Sequence, residues 1–200
     1  MHSSFSRMCL AMCLGIISLS GCAGMEIVED DIDMAYQEWC APSKTVEVIN
    51  VHDGDTFKYF ENEDHAIRML GVAAPEVWST SGPAECYGDI AGDFLRDIID
   101  GEEVRLEFDM ECTDMYHRTL AWTLLRGTDP QIIAWMQQYN MLGMQSDGSY
   151  EILVNELLVM LGYAKVFHGD VDHSVRYKER MLAAETNAKT LQLGLWSACN

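Results

Sequence analysis

The chain has 200 residues, of which 48% are hydrophobic and 10% aromatic, and its 32 acidic and 13 basic side chains give a formal net charge of −19. This length and apolar content exclude an intrinsically disordered chain and suffice for one domain with a real core. The strong negative charge argues against non-specific attraction to nucleic acid, because the phosphates would repel it.

The first residues have the features of an export signal. Arg7 precedes an apolar stretch from Met8 to Leu19, which is too short to span a bilayer as a helix. The stretch ends in Leu19-Ser20-Gly21-Cys22, which resembles the bacterial lipobox, in which the cysteine sulfur takes a lipid. We therefore expect residues 1–21 to be a lipoprotein signal peptide and Cys22 to anchor the chain to a membrane. An ordinary signal peptide cleaved nearby is the alternative.

Residues 22–43 connect this leader to the body of the chain. They are rich in acidic side chains and end close to Pro42, which is typical of a solvated tether. Ala23 follows the cysteine that takes the lipid. In the Gram-negative lipoproteins that the leader resembles, a residue other than Asp at this position implies transport to the outer membrane rather than retention at the inner one. The expected location is therefore the cell envelope.

Four cysteines follow Cys22, and export bears on their state. They are Cys40, Cys86, Cys112 and Cys199. In an oxidising compartment four cysteines predict two disulfides, for which three connectivities are possible. Four free buried thiols are the alternative. The chain contains no Cys-x-x-Cys spacing, which argues against a zinc site.

The body of the chain, residues 44–198, reads as one domain of strands and helices. Alternating apolar and polar residues between turn signals predict strands at 45–51, 56–60, 66–72, 104–108 and 119–125. Apolar residues at helical spacing predict helices at 84–100, 152–161 and 173–191. The stretch at about 126–150 predicts a short helix or loop packed on the body, with a membrane-facing or substrate-facing lid as the alternative. Five strands and about three helices predict an α+β, mainly β, fold in which helices pack on a small barrel.

Three short segments carry the residues of chemical interest. They are Asp53-Gly54-Asp55-Thr56 at a predicted hairpin, Arg68-Met69-Leu70-Gly71-Val72-Ala73-Ala74-Pro75-Glu76 at a strand end, and Asp114-Met115-Tyr116-His117-Arg118-Thr119-Leu120-Ala121. Each alone has a structural explanation, as a common turn, a strand end or a surface charge. Their order and spacing, with Val154-Asn155-Glu156 and residues 162–166, together resemble the staphylococcal nuclease family from about Val46 to Trp196. The resemblance implies an OB-fold-type five-stranded barrel and makes the stretch at 126–150 an insert.

The resemblance implies hydrolysis of phosphodiester bonds, in which water attacks phosphorus and the added negative charge is neutralised. At the matching positions, Glu76 would act on the attacking water. Arg68 and Arg118 would grip phosphate oxygens with guanidinium forks. The implied activity is that of an endonuclease or phosphodiesterase on DNA or RNA in the cell envelope, with single strands preferred. No protein partner is implied.

The resemblance also implies calcium, a hard cation that prefers oxygen ligands. Asp55 matches a direct carboxylate ligand, the Ala74 backbone carbonyl matches a second ligand, and Asp53 matches an outer-sphere carboxylate. Ala73 stands where the family has its second direct carboxylate, and a methyl group cannot bind calcium. We therefore expect calcium to bind weakly. The alternative is a catalytically weakened binding module on the same fold.

Two further residues are expected near the substrate. Tyr116 occupies a position suited to stacking or to contact with phosphate, and packing within the barrel is its alternative. His168 is expected at the substrate groove, with a purely structural role as its alternative.

The family resemblance also bears on the disulfides. It implies that the loops of Cys86 and Cys112 lie near the same rim of the barrel, which favours a Cys86–Cys112 bridge. The second bridge expected is then Cys40–Cys199, which would join the two ends of the domain.

Overall fold

The computed structural model describes residues 39–60, 66–77, 82–141, 143–173 and 176–199. All of them belong to the second of two compact units, Gln37–Asn200. The predicted signal peptide, Cys22 and most of the predicted tether lie outside the described residues. Among the described residues, no helix is long and apolar enough to cross a membrane.

Eight strands and six helices are formed by the described residues. The strands are β1 (Lys44–Val51), β2 (Thr56–Tyr59), β3 (Ile67–Met69), β4 (Val72–Ala73), β5 (Glu103–Glu107), β6 (Thr119–Gly127), β7 (Tyr150–Leu153) and β8 (Lys165–Val166). The helices are α1 (Gly88–Ile99), α2 (Pro130–Gln138), α3 (Val154–Met160), α4 (His168–Val171), α5 (Lys178–Leu191) and α6 (Leu195–Ala198).

Five of these strands close into a barrel. Antiparallel pairing joins β3 to β2, β2 to β1, β1 to β5 and β5 to β6. The barrel closes where β3 pairs in parallel with β6. Strand β7 extends the sheet beyond β6, and β4 pairs with β8 in a separate two-stranded sheet. The predicted mainly β barrel with packed helices is confirmed.

The strand predicted at 66–72 is divided into β3 and β4 by a turn at Gly71. Gly71 has a φ of 69°, in the left-handed region that glycine tolerates best. A Cβ at this position would lie 2.8 Å from the Val171 Cγ2 atom. The turn redirects β4 to pair with β8, and this brings the segment Ala73–Glu76 out of the barrel wall.

The helices differ from the prediction mainly at their N-terminal ends. The run at 152–161 was predicted as one helix, but its first residues belong to β7, where they pair with β6. A short apolar run does not distinguish a strand from a buried helix by periodicity alone. Within the stretch 126–150, α2 begins after Asp129, whose side chain accepts the N–H groups of Gln131 and Ile132 at 2.7 and 3.1 Å. Pro130 at the first helical position fits the same start signal.

The barrel interior is apolar, and α3 is tied to it by one buried amide. The largest fully buried side chains include Phe57, Ile67, Met69, Leu106 and Trp122. Asn155 of α3 donates its side-chain N–H to the Leu70 carbonyl at 2.8 Å and accepts the Thr123 N–H at 2.9 Å. Because an unpaired buried amide is costly, these bonds fix α3 to the end of β3 and to the middle of β6.

Candidate active site

A cleft of about 590 Å³ opens beside the turn between β1 and β2. It is lined by the three predicted catalytic residues, Arg68, Glu76 and Arg118, and by the two predicted metal-site carboxylates, Asp53 and Asp55. These residues come from the β1–β2 turn, from β3 and the segment after β4, and from the turn before β6. The fold thus brings together residues from all three segments that the sequence singled out.

The β1–β2 turn approaches its neighbours closely because residue 54 is glycine. A Cβ at Gly54 would lie 2.6 Å from the Ala74 Cβ and 3.0 Å from the Ala91 Cβ. This close packing lets Asp55 Oδ2 accept the Ala74 N–H at 2.9 Å. Asp53 Oδ1 in turn accepts the Asp55 N–H at 3.0 Å. A side chain at position 54 would push both carboxylates away from the segment that carries Glu76.

Asp55 is a largely buried carboxylate, with 8% of its surface exposed. Its Oδ1 accepts the Thr56 hydroxyl at 3.0 Å, and its Oδ2 lies 2.6 Å from Arg68 Nη1. Burial raises the pKa of the Asp55 carboxyl from 3.8 to about 6, against the opposing charge of Arg68 and with a smaller increase from Asp53. The cost of burying the charged carboxylate therefore exceeds the stabilisation that the neighbouring Arg68 charge supplies.

Arg68 projects from β3, and 14% of its side chain is exposed. Among the described residues Arg68 Nη1 has no hydrogen-bond partner, so its contact with Asp55 is an ion pair without a directed N–H···O bond. The guanidinium carbon lies 6.0 Å from the centroid of the Phe167 ring. Since a guanidinium carries five N–H donors in a fixed fork, Arg68 can bind a phosphate oxygen from this position.

Arg118 ends a turn that Asp114 organises. Asp114 Oδ1 accepts the backbone N–H groups of Tyr116 and Arg118, each at 2.9 Å, and its Oδ2 accepts the Arg118 Nε–H at 2.7 Å. Burial acts to raise the pKa of Asp114, but these hydrogen bonds and the Arg118 charge outweigh it and hold the pKa below 3.8. Asp114 is therefore ionised at neutral pH and orients the Arg118 guanidinium through its Nε–H. The terminal nitrogens of this guanidinium form the fork for an oxyanion.

A third carboxylate, Asp170 of α4, acts on both arginines. Its Oδ2 accepts the Gly71 N–H at 3.1 Å. Burial raises the pKa of Asp170, while the charges of Arg68 and Arg118 oppose the increase. An incoming phosphate must compete with Asp55 for Arg68 and with Asp114 for Arg118.

Glu76 is exposed at the cleft, and its backbone rather than its side chain is held in place. Its N–H donates to Glu85 Oε2 at 3.2 Å, and its carbonyl accepts the Glu85 N–H at 2.8 Å. A general base must reach both water and the reacting phosphorus, and an exposed carboxylate on the cleft wall satisfies the first requirement.

The residues of the cleft fall short of a resident calcium site. Calcium takes six to eight oxygen ligands, and its affinity rises with ligand charge. Asp55 Oδ2 is already engaged by Arg68 and by the Ala74 N–H. Ala73 presents a methyl group and lies opposite Lys165 in the β4–β8 pair. In the part of the chain that the structure describes, no group of three or more His, Cys, Asp or Glu side chains could hold a metal ion.

The two predicted substrate-binding residues lie outside the cleft wall. Of the described residues that line the cleft, none is Tyr116 or His168. Tyr116 is 71% exposed, which excludes packing within the barrel, and its ring centroid lies 5.6 Å from the Arg118 guanidinium carbon. His168 is the exposed first residue of α4. Tyr116 can therefore reach a substrate held by Arg118, whereas His168 does not line the cleft.

Both expected disulfide pairings are wrong. The structure joins Cys40 to Cys112 and Cys86 to Cys199, with Cα–Cα distances of 5.5 and 5.8 Å. The backbone pairing of β1 with β5 continues beyond the strands and brings Cys40 close to Cys112. The Cys40–Cys112 bond excludes both expected bridges, Cys86–Cys112 and Cys40–Cys199. The Cys40 N–H donates to the Asp109 carbonyl at 2.9 Å, which carries Cys40 alongside the segment that contains Cys112.

Several residues near the site received no role from the sequence. His52 and Lys58 line the cleft, and Asp114 and Asp170 act on the arginines. Asp114 could have been found, because it begins a quoted segment and precedes Arg118 by four residues. Asp170 gave no such signal, since it meets Gly71 across 99 residues of sequence.

Sequence comparison finds relatives that match most of the chain. A family model described as "Staphylococcal nuclease homologue" matches residues 66–198. A thermonuclease of Staphylococcus hyicus is 30% identical over 158 residues, which is 78% of each chain. A thermonuclease of Staphylococcus intermedius is 38% identical over 79 residues, 39% of this chain and 47% of that protein. Endonuclease YncB of Bacillus subtilis (strain 168) is 25% identical over 147 residues, 72% of this chain and 58% of that protein.

Proposed function

Because this chain belongs to the staphylococcal nuclease family, we propose that it is a nuclease that hydrolyses phosphodiester bonds of single-stranded DNA or RNA in the cleft of Arg68, Glu76 and Arg118. The observation that carries the proposal is the convergence of these three side chains on one cleft together with Asp55. The names of the relatives, thermonuclease and endonuclease, support the same class of reaction.

Glu76 is the residue that acts on water. Its carboxylate is exposed on the cleft wall, so a water molecule can reach it and lie between it and a bound phosphate. An ionised carboxylate accepts a proton from this water, or orients it, as the water attacks phosphorus. Replacement by Gln keeps the size of the side chain and removes its basicity.

Arg68 and Arg118 neutralise the charge that develops on the phosphoryl oxygens. Each is already held by a carboxylate, Arg68 by Asp55 and Arg118 by Asp114. This preorganisation removes the cost of orienting a flexible cation during the reaction, and one such donor contributes on the order of 10²–10³ in rate. Binding of the substrate exchanges part of the carboxylate contact for contact with phosphate.

The cleft offers few oxygen ligands for calcium. The oxygen donors available are Asp55, the Ala74 carbonyl and Asp53, while Ala73 contributes none. This set supports weak binding of calcium at most, since ligand number and charge determine its affinity. The mechanism therefore depends on the arginines for most of the neutralisation of charge.

We also propose that the nuclease acts in the cell envelope, anchored through a lipid on Cys22 in the outer rather than the inner membrane. The sequence Leu19-Ser20-Gly21-Cys22 after an apolar stretch supports the anchor. The pairing of all four cysteines of the body in disulfides agrees with an oxidising compartment.

A binding module without catalysis is the second candidate. It is favoured by Ala73, which removes a metal ligand, and by the carboxylates that already occupy both arginines. Such a module would hold single-stranded nucleic acid at the cleft and release it intact.

Cleavage assays distinguish the two candidates. The full chain, purified in mild detergent, is incubated with end-labelled single-stranded DNA and RNA, in calcium and in excess chelator. The proposed nuclease shortens the strands, and calcium accelerates the reaction only at high concentration. Binding of the strands without shortening in any calcium concentration would favour the binding module and refute the nuclease.

A further inference from the structure

We propose that Glu85, fixed by the Cys86–Cys199 disulfide, is a positioning residue for Glu76. The proposal rests on the proposed function, because it assumes that Glu76 acts on the attacking water. Cys86, which the disulfide joins to Cys199, directly follows Glu85 in the chain.

The backbone of Glu76 is bound by Glu85 in both directions. The Glu85 carboxylate accepts the Glu76 N–H at 3.2 Å, and the Glu85 N–H donates to the Glu76 carbonyl at 2.8 Å. Glu76 belongs to the described segment that ends at Val77, and Glu85 belongs to the segment that begins at residue 82 and leads into α1. The two hydrogen bonds therefore join these segments at the residue that lines the cleft.

The covalent bond fixes the other side of Glu85. Cys86 is joined to Cys199, whose N–H donates to the Leu195 carbonyl of α6 at 3.0 Å. Leu195 is 3% exposed, and its N–H donates to the Gly162 carbonyl at 2.9 Å, directly after α3. The loop that holds Glu76 is thus anchored to a buried part of the domain through the C-terminal helix.

The start of α1 leaves little space around the Glu76 carbonyl. A Cβ at Gly88 would lie 2.2 Å from the Glu76 oxygen, so only glycine permits this approach. The Gly88 N–H donates to the Glu85 carbonyl at 2.9 Å. Glu76 is therefore held by contacts of Glu85 and Gly88 with its backbone, while its side chain stays accessible to water.

Fixed backbone matters here because the side chain itself is exposed. A buried catalytic group is positioned by packing, whereas an exposed one depends on its backbone. A displacement of about 1 Å in a reacting group can reduce the rate by about 10²-fold. Arg68 and Arg118 belong to other segments, so loss of the Glu85 contacts is expected to reduce turnover and to leave substrate binding nearly unchanged.

Two substitutions at one position test the side-chain contact. Glu85→Ala removes the acceptor of the Glu76 N–H, whereas Glu85→Gln keeps a carbonyl oxygen as acceptor. For the full chain in detergent we expect Glu85→Ala to lower kcat on single-stranded DNA by at least about 10-fold with KM within about twofold. Glu85→Gln is expected to retain kcat within about threefold. Equal losses in the two variants, or no loss in either, would overturn the proposal.

A double-mutant cycle shows whether Glu85 acts through Glu76. In the Glu76→Gln background, Glu85→Ala and the pair Cys86→Ser/Cys199→Ser should lower the residual kcat by less than about twofold, since the group that they position no longer acts. The same fold reduction in both backgrounds would overturn the proposal.

A readout independent of cleavage keeps the two proposals separate. The amide hydrogen of Glu76 should exchange with solvent at least about 10-fold faster in Glu85→Ala than in Glu85→Gln or the parent, because its acceptor is gone. Unchanged exchange refutes the positioning contact even in an active enzyme. A parent that does not cleave refutes the nuclease, and the exchange rates still decide whether Glu85 holds Glu76.

Discussion

Replacing Asp55 with Asn should make the folded domain increasingly stable relative to the parent as the pH rises. Burial raises the pKa of Asp55 from 3.8 to about 6. A group whose pKa is higher in the folded state favours folding below its unfolded pKa, and that contribution is lost as the pH rises through the folded pKa. A shift of about two units corresponds to about 3 kcal/mol at 1.36 kcal/mol per unit.

Asn at position 55 cannot ionise but keeps a carbonyl oxygen to accept the Ala74 N–H. The free energy of unfolding of Asp55→Asn, minus that of the parent, should therefore increase by about 2 kcal/mol between pH 4 and pH 7, because part of the full change of about 3 kcal/mol is already present at pH 4. Loss of the charged partner of Arg68 changes the difference in free energy of unfolding by the same amount at every pH. The variation of this difference with pH comes from the ionisation of Asp55. Urea denaturation at half-unit pH intervals measures it.

Asp114→Asn is the matched control with the opposite sign. The pKa of Asp114 is held below 3.8, so its contribution to stability is present above pH 3.8 and is lost at lower pH. Asp114→Asn should therefore be destabilised relative to the parent at neutral pH and should approach it in acid. A difference between Asp55→Asn and the parent that stays constant with pH would contradict the buried, destabilised carboxylate.

Further predictions concern the cleft and the anchor. Arg68→Ala, Arg118→Ala and Glu76→Gln should each lower turnover by at least about 100-fold in initial-rate assays while the circular dichroism spectrum is retained; near-parental rates in all three would remove the basis for catalysis. Ala73→Asp should tighten calcium binding in calorimetric titration and raise cleavage at low calcium. No change in either quantity, in a parent that cleaves efficiently in micromolar calcium, would mean that another group completes the site. Cys22→Ser should move the protein from the membrane to the soluble fraction, since lipid chains supply the anchoring energy; identical fractionation would contradict the lipid anchor.

The barrel could be predicted from the sequence because its strands are short, alternating and separated by clear turns. The five barrel strands occur within a few residues of their predicted positions. The division of the third strand could not be predicted, because it depends on Gly71 packing against Val171 from a distant helix. Strand β7 was also missed, because a short run of apolar residues is compatible with a strand and with a buried helix. Only the pairing with β6 distinguishes the two.

The cleft could be predicted to the extent that its residues lie in recognisable segments. Arg68, Glu76 and Arg118 were selected from motifs and do line one cleft. The ion pair of Arg68 with Asp55 was not foreseen, because it depends on the depth at which the β1–β2 turn is buried. The disulfides were assigned wrongly for another reason, since the position of Cys40 depends on how far the chain runs alongside the segment after β5 before β1 begins.

The rate of cleavage of one internal phosphodiester bond in a single turnover tests the central claim most directly. The full chain in detergent is mixed in excess with a single-stranded oligonucleotide, in parallel with Glu76→Gln, and both are checked for equal binding of the strand. The account predicts cleavage by the parent and a rate at least about 100-fold lower in the variant at equal binding. Equal rates in the two proteins, or a bound strand that the parent leaves intact from micromolar to millimolar calcium, would contradict it.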